Sequence, residues 1–246
     1  MQIDLLTLFP EFFVSPLRQS MLRRAQMLGR VSFRVLNLRD FTTDRHQVTD
    51  DRPFGGGPGM VMKIEPLVAA IRRVRQEDPA TRVILLSPGG RRFDQERARE
   101  LAQAPHLLLV CGHYEGVDER IRHFIDAELS IGDYVLTGGE IPALIIVDAV
   151  TRLLPGVLGG EGATEEESFQ TGILEYPHYT RPRDFEGFTV PEMLLSGDHA
   201  RIARWRREQA LEHTAAKRPD LLDKAPLSQE DREFLAKIGE TSGKDR

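Results

Sequence analysis

Apolar positions along the chain change period several times, and each change marks an element. Residues 2–8 (QIDLLTL) form a short apolar run closed by Pro10, the pattern of a strand. Residues 15–28 read as a helix with arginines on its exposed side, ending near Gly29. Residues 31–38 (VSFRVLNL) alternate apolar and polar side chains and predict a second strand. From 40 to 60 the chain is polar and then glycine-rich, a loop of the length that is usually functional or disordered. A helix over 65–75 follows, then a strand over 83–86 stopped by Pro88-Gly89-Gly90. A helix over 94–102 leads into a buried strand over 107–111 that ends at Gly112. A short helical stretch starts near Arg120, and 141–154 is a longer helix.

Strands alternating with helices predict an α/β fold with a mostly parallel sheet. Residues 156–176 are rich in glycine and acid and lack periodicity, as a linker would. Beyond them the pattern is helical, with Ser196 or Asp198 placed to cap the helix that carries Trp205. The predicted organisation is a domain over 1–160, a linker over 161–176 and a small helical domain over 177–246, its last residues (ETSGKDR) frayed.

Composition narrows the class. With 40% hydrophobic and 29% charged residues in 246, the chain reads as a globular protein able to bury its own core. The single cysteine, Cys111, excludes an intrachain disulfide and favours a cytoplasmic home. No secretory leader is read at the N-terminus, and 141–154 is too short and too interrupted by Asp148 and Arg152 to span a bilayer. The net charge of -5 argues against a nucleic-acid partner until its distribution is considered. Acid gathers at Glu165, Glu166 and Glu167, and arginine at Arg201, Arg204, Arg206 and Arg207, so a local basic face could serve RNA.

Three strand ends run into loops of one character: LLSPGG (85–90), VCGHYEG (110–116) and SIGDYVLTGGE (130–140). Ligands of open α/β folds bind beyond the carboxyl ends of strands, and glycine lets backbone approach a ligand closely. Three such loops favour a pocket walled by backbone over three ordinary turns. GGGPGM (55–60) could cradle phosphate, but it lacks the Lys-Ser/Thr ending of a P-loop, and composition favours a flexible loop. One cysteine and seven scattered histidines offer no zinc spacing, and there is no G-x-S-x-G elbow.

The ordered stretches LFPEFF, RDFTTDRH, DDRPFGGGPGM, LSPGGR, CGHYEGVDERI, SIGDYVLTGGE, RLLPGVLG, ESFQTG, PHYTRP and LLSGDHARIARWR resemble the bacterial tRNA (guanine-N1-)-methyltransferase TrmD family over nearly the whole chain. The resemblance implies the SPOUT class, an α/β domain whose parallel sheet is tied in a deep trefoil knot, followed by a small helical domain that grips tRNA. It implies S-adenosylmethionine bound at Leu85, Leu86, Ser87, Pro88, Gly112, Tyr114, Glu115, Ile131, Gly132, Asp133, Tyr134, Val135, Leu136, Gly138, Gly139 and Pro142, the same three loops. It implies a homodimer with the active site between subunits, and as substrate the guanine 3′ of the tRNA anticodon. His46, Asp50 and Arg52, with Gly55, Gly57 and Gly59 after them, would face that substrate; loop solvation is the plainer account of them. Arg201, Arg204, Arg206 and Arg207 would contact phosphate, or form a solvated helix face.

The family's supporting arginine matches Arg152, and its proposed base, an aspartate in D-S-F, is replaced here by Glu167 in ESF. Glutamate keeps the carboxylate and adds a methylene, so the backbone must reposition it. Glu166 could take the role instead, 165–167 could be an acidic turn, and a chain that had lost its base would bind RNA without turnover. The resemblance also implies dependence on Mg2+, for which Glu115 is one point of entry. Cys111 at the end of a buried strand reads as apolar filler, and Trp205 as packing.

Overall fold

The computed structural model describes residues 1–159 and 167–242, which divide into two compact units, 1–159 and 160–246. The first unit runs β1 (Gln2–Thr7), α1 (Ser20–Met27), β2 (Ser32–Asn37), β3 (Asp50–Asp51), β4 (Val61–Met62), α2 (Ile64–Glu77), β5 (Arg82–Arg92), α3 (Gln95–Ala102), β6 (His106–Cys111), β7 (Ala127–Ser130) and α4 (Glu140–Thr151). Five strands make one parallel sheet in the order β2-β1-β6-β5-β7. The short strands β3 and β4 pair antiparallel apart from it.

Period-two alternation sorts the apolar side chains of the central strands onto two buried faces. Ile3, Leu5, Ile84, Leu107 and Leu109 pack with Leu22 and Ala25 of α1, Leu101 of α3, and Ile146, Val147 and Val150 of α4. Leu6, Val83, Leu85, Leu108 and Val110 pack with Leu67, Ile71 and Val74 of α2. The result is a three-layer sandwich. It explains why β6, covered on both faces, is an unbroken buried run, HLLLVC. At the amino end of the sheet the buried Asp4 carboxylate accepts from Arg34 of β2 and lies 3.0 Å from His106 Nε2 of β6, so polar groups stitch three strands where no ligand is expected.

Two predicted elements change shape. The helix expected over 15–28 is broken: a 3-10 turn at Pro16–Arg18 gives way to α1 because Gln19 is extended and Ser20 takes φ +46°. The strand expected to stop at Pro88 continues to Arg92. The register with β7 slips between Leu86 and Arg91, so Ser87–Gly90 bulge outward while Arg91 and Arg92 regain partners. Gly90 permits this, since a Cβ there would lie 2.5 Å from the backbone N of Leu129.

The second unit contains the hairpin β8 (Asp184–Phe185) and β9 (Phe188–Thr189), then α5 (His199–Lys217), α6 (Pro219–Leu222) and α7 (Gln229–Ser242). Asp198 caps α5 by accepting from the Arg201 backbone N–H. Ala210 and Leu211 of α5 share a small core with Ile173, flanked by Tyr176, Leu222, Phe234 and Leu235. Within the stretch read as a linker, 161–166, with Glu165 and Glu166, lie outside the described residues, as do 243–246 at the chain's end. Residues 167–176 belong to the second unit, where the Leu174 backbone N–H donates to Thr214 of α5.

Arg207 Nε and Nη2 donate to the buried Asp231 carboxylate at 3.0 and 2.8 Å, and Ser228 completes the cap of α7. The Arg207 guanidinium, aided by Ser228, holds the Asp231 carboxyl down at about 2, below its ordinary 3.8. A depressed native pKa stabilises the fold above the ordinary value and is lost as pH falls towards the native one. Asp231→Asn is therefore expected to lower the thermal midpoint at neutral pH, with the gap to wild type closing between about pH 4 and 2. Thermal melts of both proteins across that range check it.

Candidate methyl-donor pocket and catalytic residues

At the carboxyl ends of β5, β6 and β7 the three glycine-bearing loops close around one cavity of about 290 Å³, at the lower end of the range for small-molecule sites. Every residue predicted there lines it except Asp133, which is exposed. The register explains the convergence, because Leu86 of β5 stands opposite both Cys111 of β6 and Leu129 of β7. The chain then returns: Gly138 bridges to His113, and the Gly139 N–H donates to the Gly112 carbonyl at 2.8 Å. A Cβ on Gly139 would lie 2.6 Å from Cys111 Cα, so the crossing depends on glycine.

Leucine, isoleucine and proline side chains give the cavity flat apolar walls, and Glu115 supplies a carboxylate. Tyr114 holds φ +61° at its lip. Burial, with Asp50 beside it, raises the Tyr114 hydroxyl above its ordinary pKa, and Arg39 opposes the shift. Met60 and Met62 pair through backbone with Glu115, Gly116 and Asp118, so the glycine-rich loop ends against this cavity. Gly59 packs on the Glu115 side chain, whereas Gly55 and Gly57 meet nothing within 4 Å of an added Cβ. His46 and Arg52 are exposed, and His46 is held in a turn by the Asp44 carboxylate. Burial, then the nearby Glu140, pushes the Cys111 thiol well above its ordinary pKa, which suits filler and not a nucleophile.

His113, Gly116, Ser130 and Thr137 also line the cavity; they lie in the loops read as its walls but outside the donor-binding set that the resemblance implied, and Val117 and Leu129 lie outside those loops. The implied set also leaves out Glu140, the buried first residue of α4, which accepts a 2.7 Å hydrogen bond from Thr7. An acid opening an otherwise apolar helix was the available signal. Arg152 forms the carboxyl cap of α4 in the first unit, and Glu167 stands partly buried in a turn of the second, its carbonyl accepting from the Gln170 N–H.

Of the four arginines of α5, Arg207 is committed to Asp231 and Arg204 pairs with Glu208. Arg206 stacks over Tyr176, and Arg201 is exposed. Among the described residues no three His, Cys, Asp or Glu side chains gather as a metal site, and no helix is long and apolar enough to cross a membrane.

A family model described as tRNA (guanine-1)-methyltransferase TrmD matches residues 1–224. Curated proteins named tRNA (guanine-N(1)-)-methyltransferase are similar over nearly their whole length. The one from Dictyoglomus turgidum is 59% identical, covering 97% of this chain and 96% of its own. That from Geobacter sulfurreducens is 58% identical, covering 97% and 98%, and that from Geobacter metallireducens 54%, covering 99% and 100%.

Proposed function

The chain belongs to the tRNA (guanine-1)-methyltransferase TrmD family, and from that premise we propose that it methylates N1 of the guanine immediately 3′ of the tRNA anticodon. The observation that carries the reading is the glycine-walled cavity where β5, β6 and β7 end. Its apolar walls suit a purine ring, its close backbone can read an adenine edge, and the Glu115 carboxylate suits a cationic centre. These features fit S-adenosylmethionine, which supplies an electrophilic methyl group on sulfur when bound. The three loops read from the sequence would hold it, with Leu85–Pro88, Gly112–Glu115, Ile131, Gly132, Tyr134–Gly139 and Pro142 as walls.

Guanine N1 carries a proton and is a poor nucleophile in that state. Glu167 accepts this proton. Negative charge then spreads onto guanine O6, where the Arg152 guanidinium stabilises it. His46, Asp50, Arg52 and the Gly55–Gly59 loop face the substrate. Among the described residues no three His, Cys, Asp or Glu side chains gather to hold the Mg2+ that the resemblance implies.

The working form is a cytoplasmic homodimer with its active site at the interface. Support comes from an uncovered apolar face: Phe9, Phe12, Ile141 and Ile145 are 42–47% exposed around the start of α4. The trefoil knot belongs to the same reading, supported by the tight crossing of Gly138 and Gly139 over the end of β6.

Incubation with labelled S-adenosylmethionine and unmodified tRNA tests the proposal. The expected product is 1-methylguanine at the position after the anticodon, and none when that guanine is replaced by adenine. Label at another position, or no label, would overturn it.

A further inference from the structure

The second unit holds a cavity of its own, about 480 Å³, remote in sequence from the loops that line the first. Its chemistry is unlike that of the donor pocket. Tyr176, His178 and Tyr179 supply rings, and Arg181, Arg183 and Arg206 supply cations. No carboxylate lines it among the described residues.

The rings are organised. The Arg206 guanidinium lies 4.8 Å from the centroid of the Tyr176 ring, and Tyr176 and His178 stand 4.7 Å apart, centroid to centroid. Stacking fixes one face of Tyr176 and of Arg206, while the edge of His178 is turned to the Glu175 carboxylate, 3.4 Å from its Nε2. Arg206 Nε is buried without a hydrogen-bond partner, an unmet donor at the cavity. Tyr179, Arg181 and Arg183 are exposed at the rim, and neither rim arginine has a carboxylate partner among the described residues. The base of the site is anchored, since Tyr176 flanks the small core built on Ile173 and Leu211.

Aromatic faces beside unpaired guanidinium groups match one ligand chemistry, an unstacked base with its flanking phosphates. An acidic peptide would use the cations and leave the rings idle. We propose that this cavity is a binding site for a single-stranded nucleotide of the RNA substrate, in which Tyr179 stacks on the base and Arg181 and Arg183 hold phosphate. The proposal rests on the RNA-methylating function argued above. It assigns the grip on RNA to the Tyr176–Arg183 segment, where the sequence pattern had pointed to the arginines of α5.

The test uses the full chain and a fluorescent anticodon stem–loop RNA, with no methyl donor present. Tyr179→Ala is expected to weaken binding about tenfold, as for loss of one stacked base, and to leave the salt dependence unchanged. Arg181→Gln with Arg183→Gln is expected to weaken binding and to lower the slope of log affinity against log salt by about 0.7 per arginine. In turnover, each variant raises KM for tRNA while kcat and donor affinity hold. Thermal melts matching wild type establish that the fold is intact; should Tyr179→Ala melt early, Tyr179→Phe, which keeps the ring, must bind as wild type. Variants that bind RNA with wild-type affinity and slope overturn the site even if the enzyme methylates tRNA. A wild-type chain that never methylates tRNA yet shows these binding losses overturns the functional reading and leaves the site standing.

Discussion

Glu167→Ala is expected to lower the rate of methyl transfer by about 10²–10⁴-fold, the usual worth of a positioned base, with S-adenosylmethionine affinity unchanged. Without the carboxylate, N1 must lose its proton to water, and the neutral amide nitrogen has no lone pair to offer. Arg152→Ala removes the cation proposed to meet charge building on O6, and is expected to cost about 10²–10³-fold. In the proposed mechanism the two act in one proton-transfer event, so the double variant should be little slower than the worse single one. Glu167→Asp separates chemistry from reach. If the turn that carries Glu167 has adjusted to the longer side chain, the shorter one withdraws the carboxylate and slows turnover; faster turnover would mean that the native geometry is compromised. Single-turnover rates with saturating donor give the comparison. Wild-type speed in Glu167→Ala would remove this residue from the mechanism and reopen the search for the base.

The sheet was legible because its strands carry their partners in their own composition. HLLLVC has no polar face to present to solvent, so it must lie between two helical layers, and it does. Two of the three loops were legible for the same reason, since 85–90 and 110–116 follow apolar runs; the third follows β7, AELS, which carries no such run. What sequence hid depends on distant chain. Gly90 looked like a strand terminator, and only the passing backbone of Leu129 makes it a bulge that lets β5 continue. The β8–β9 hairpin is two residues on each side, too short for a period to show. Ile173 sits among acid and glycine, and its burial comes from Ala210 and Leu211, some forty residues on. The four arginines of α5 look equivalent in sequence. Asp231 singles out Arg207, and Tyr176 singles out Arg206, through contacts that no local pattern encodes.

Two glycines of the donor pocket should both lose the donor on substitution but differ in stability, which separates the cavity's shape from the fold that makes it. At Gly139 an alanine Cβ would meet Cys111 Cα at 2.6 Å and the Gly112 nitrogen at 3.0 Å. Those are backbone atoms of a buried strand end and cannot rotate away, so the crossing segment must lift. Gly139→Ala should destabilise by about 1–3 kcal/mol, as overpacking does, and lose the donor as the wall shifts. At Gly112 a Cβ has ordinary contacts, 3.5 Å to the Leu86 carbonyl and 3.6 Å to Val117, so Gly112→Ala should melt like wild type. Gly112 lines the cavity, so a longer side chain there is expected to grow into it. Gly112→Leu should therefore keep the fold and abolish donor binding in calorimetric titration, because a wall residue has taken the space meant for the ligand. Undiminished affinity in Gly112→Leu would place the donor somewhere other than between these loops, whatever the melting curves show.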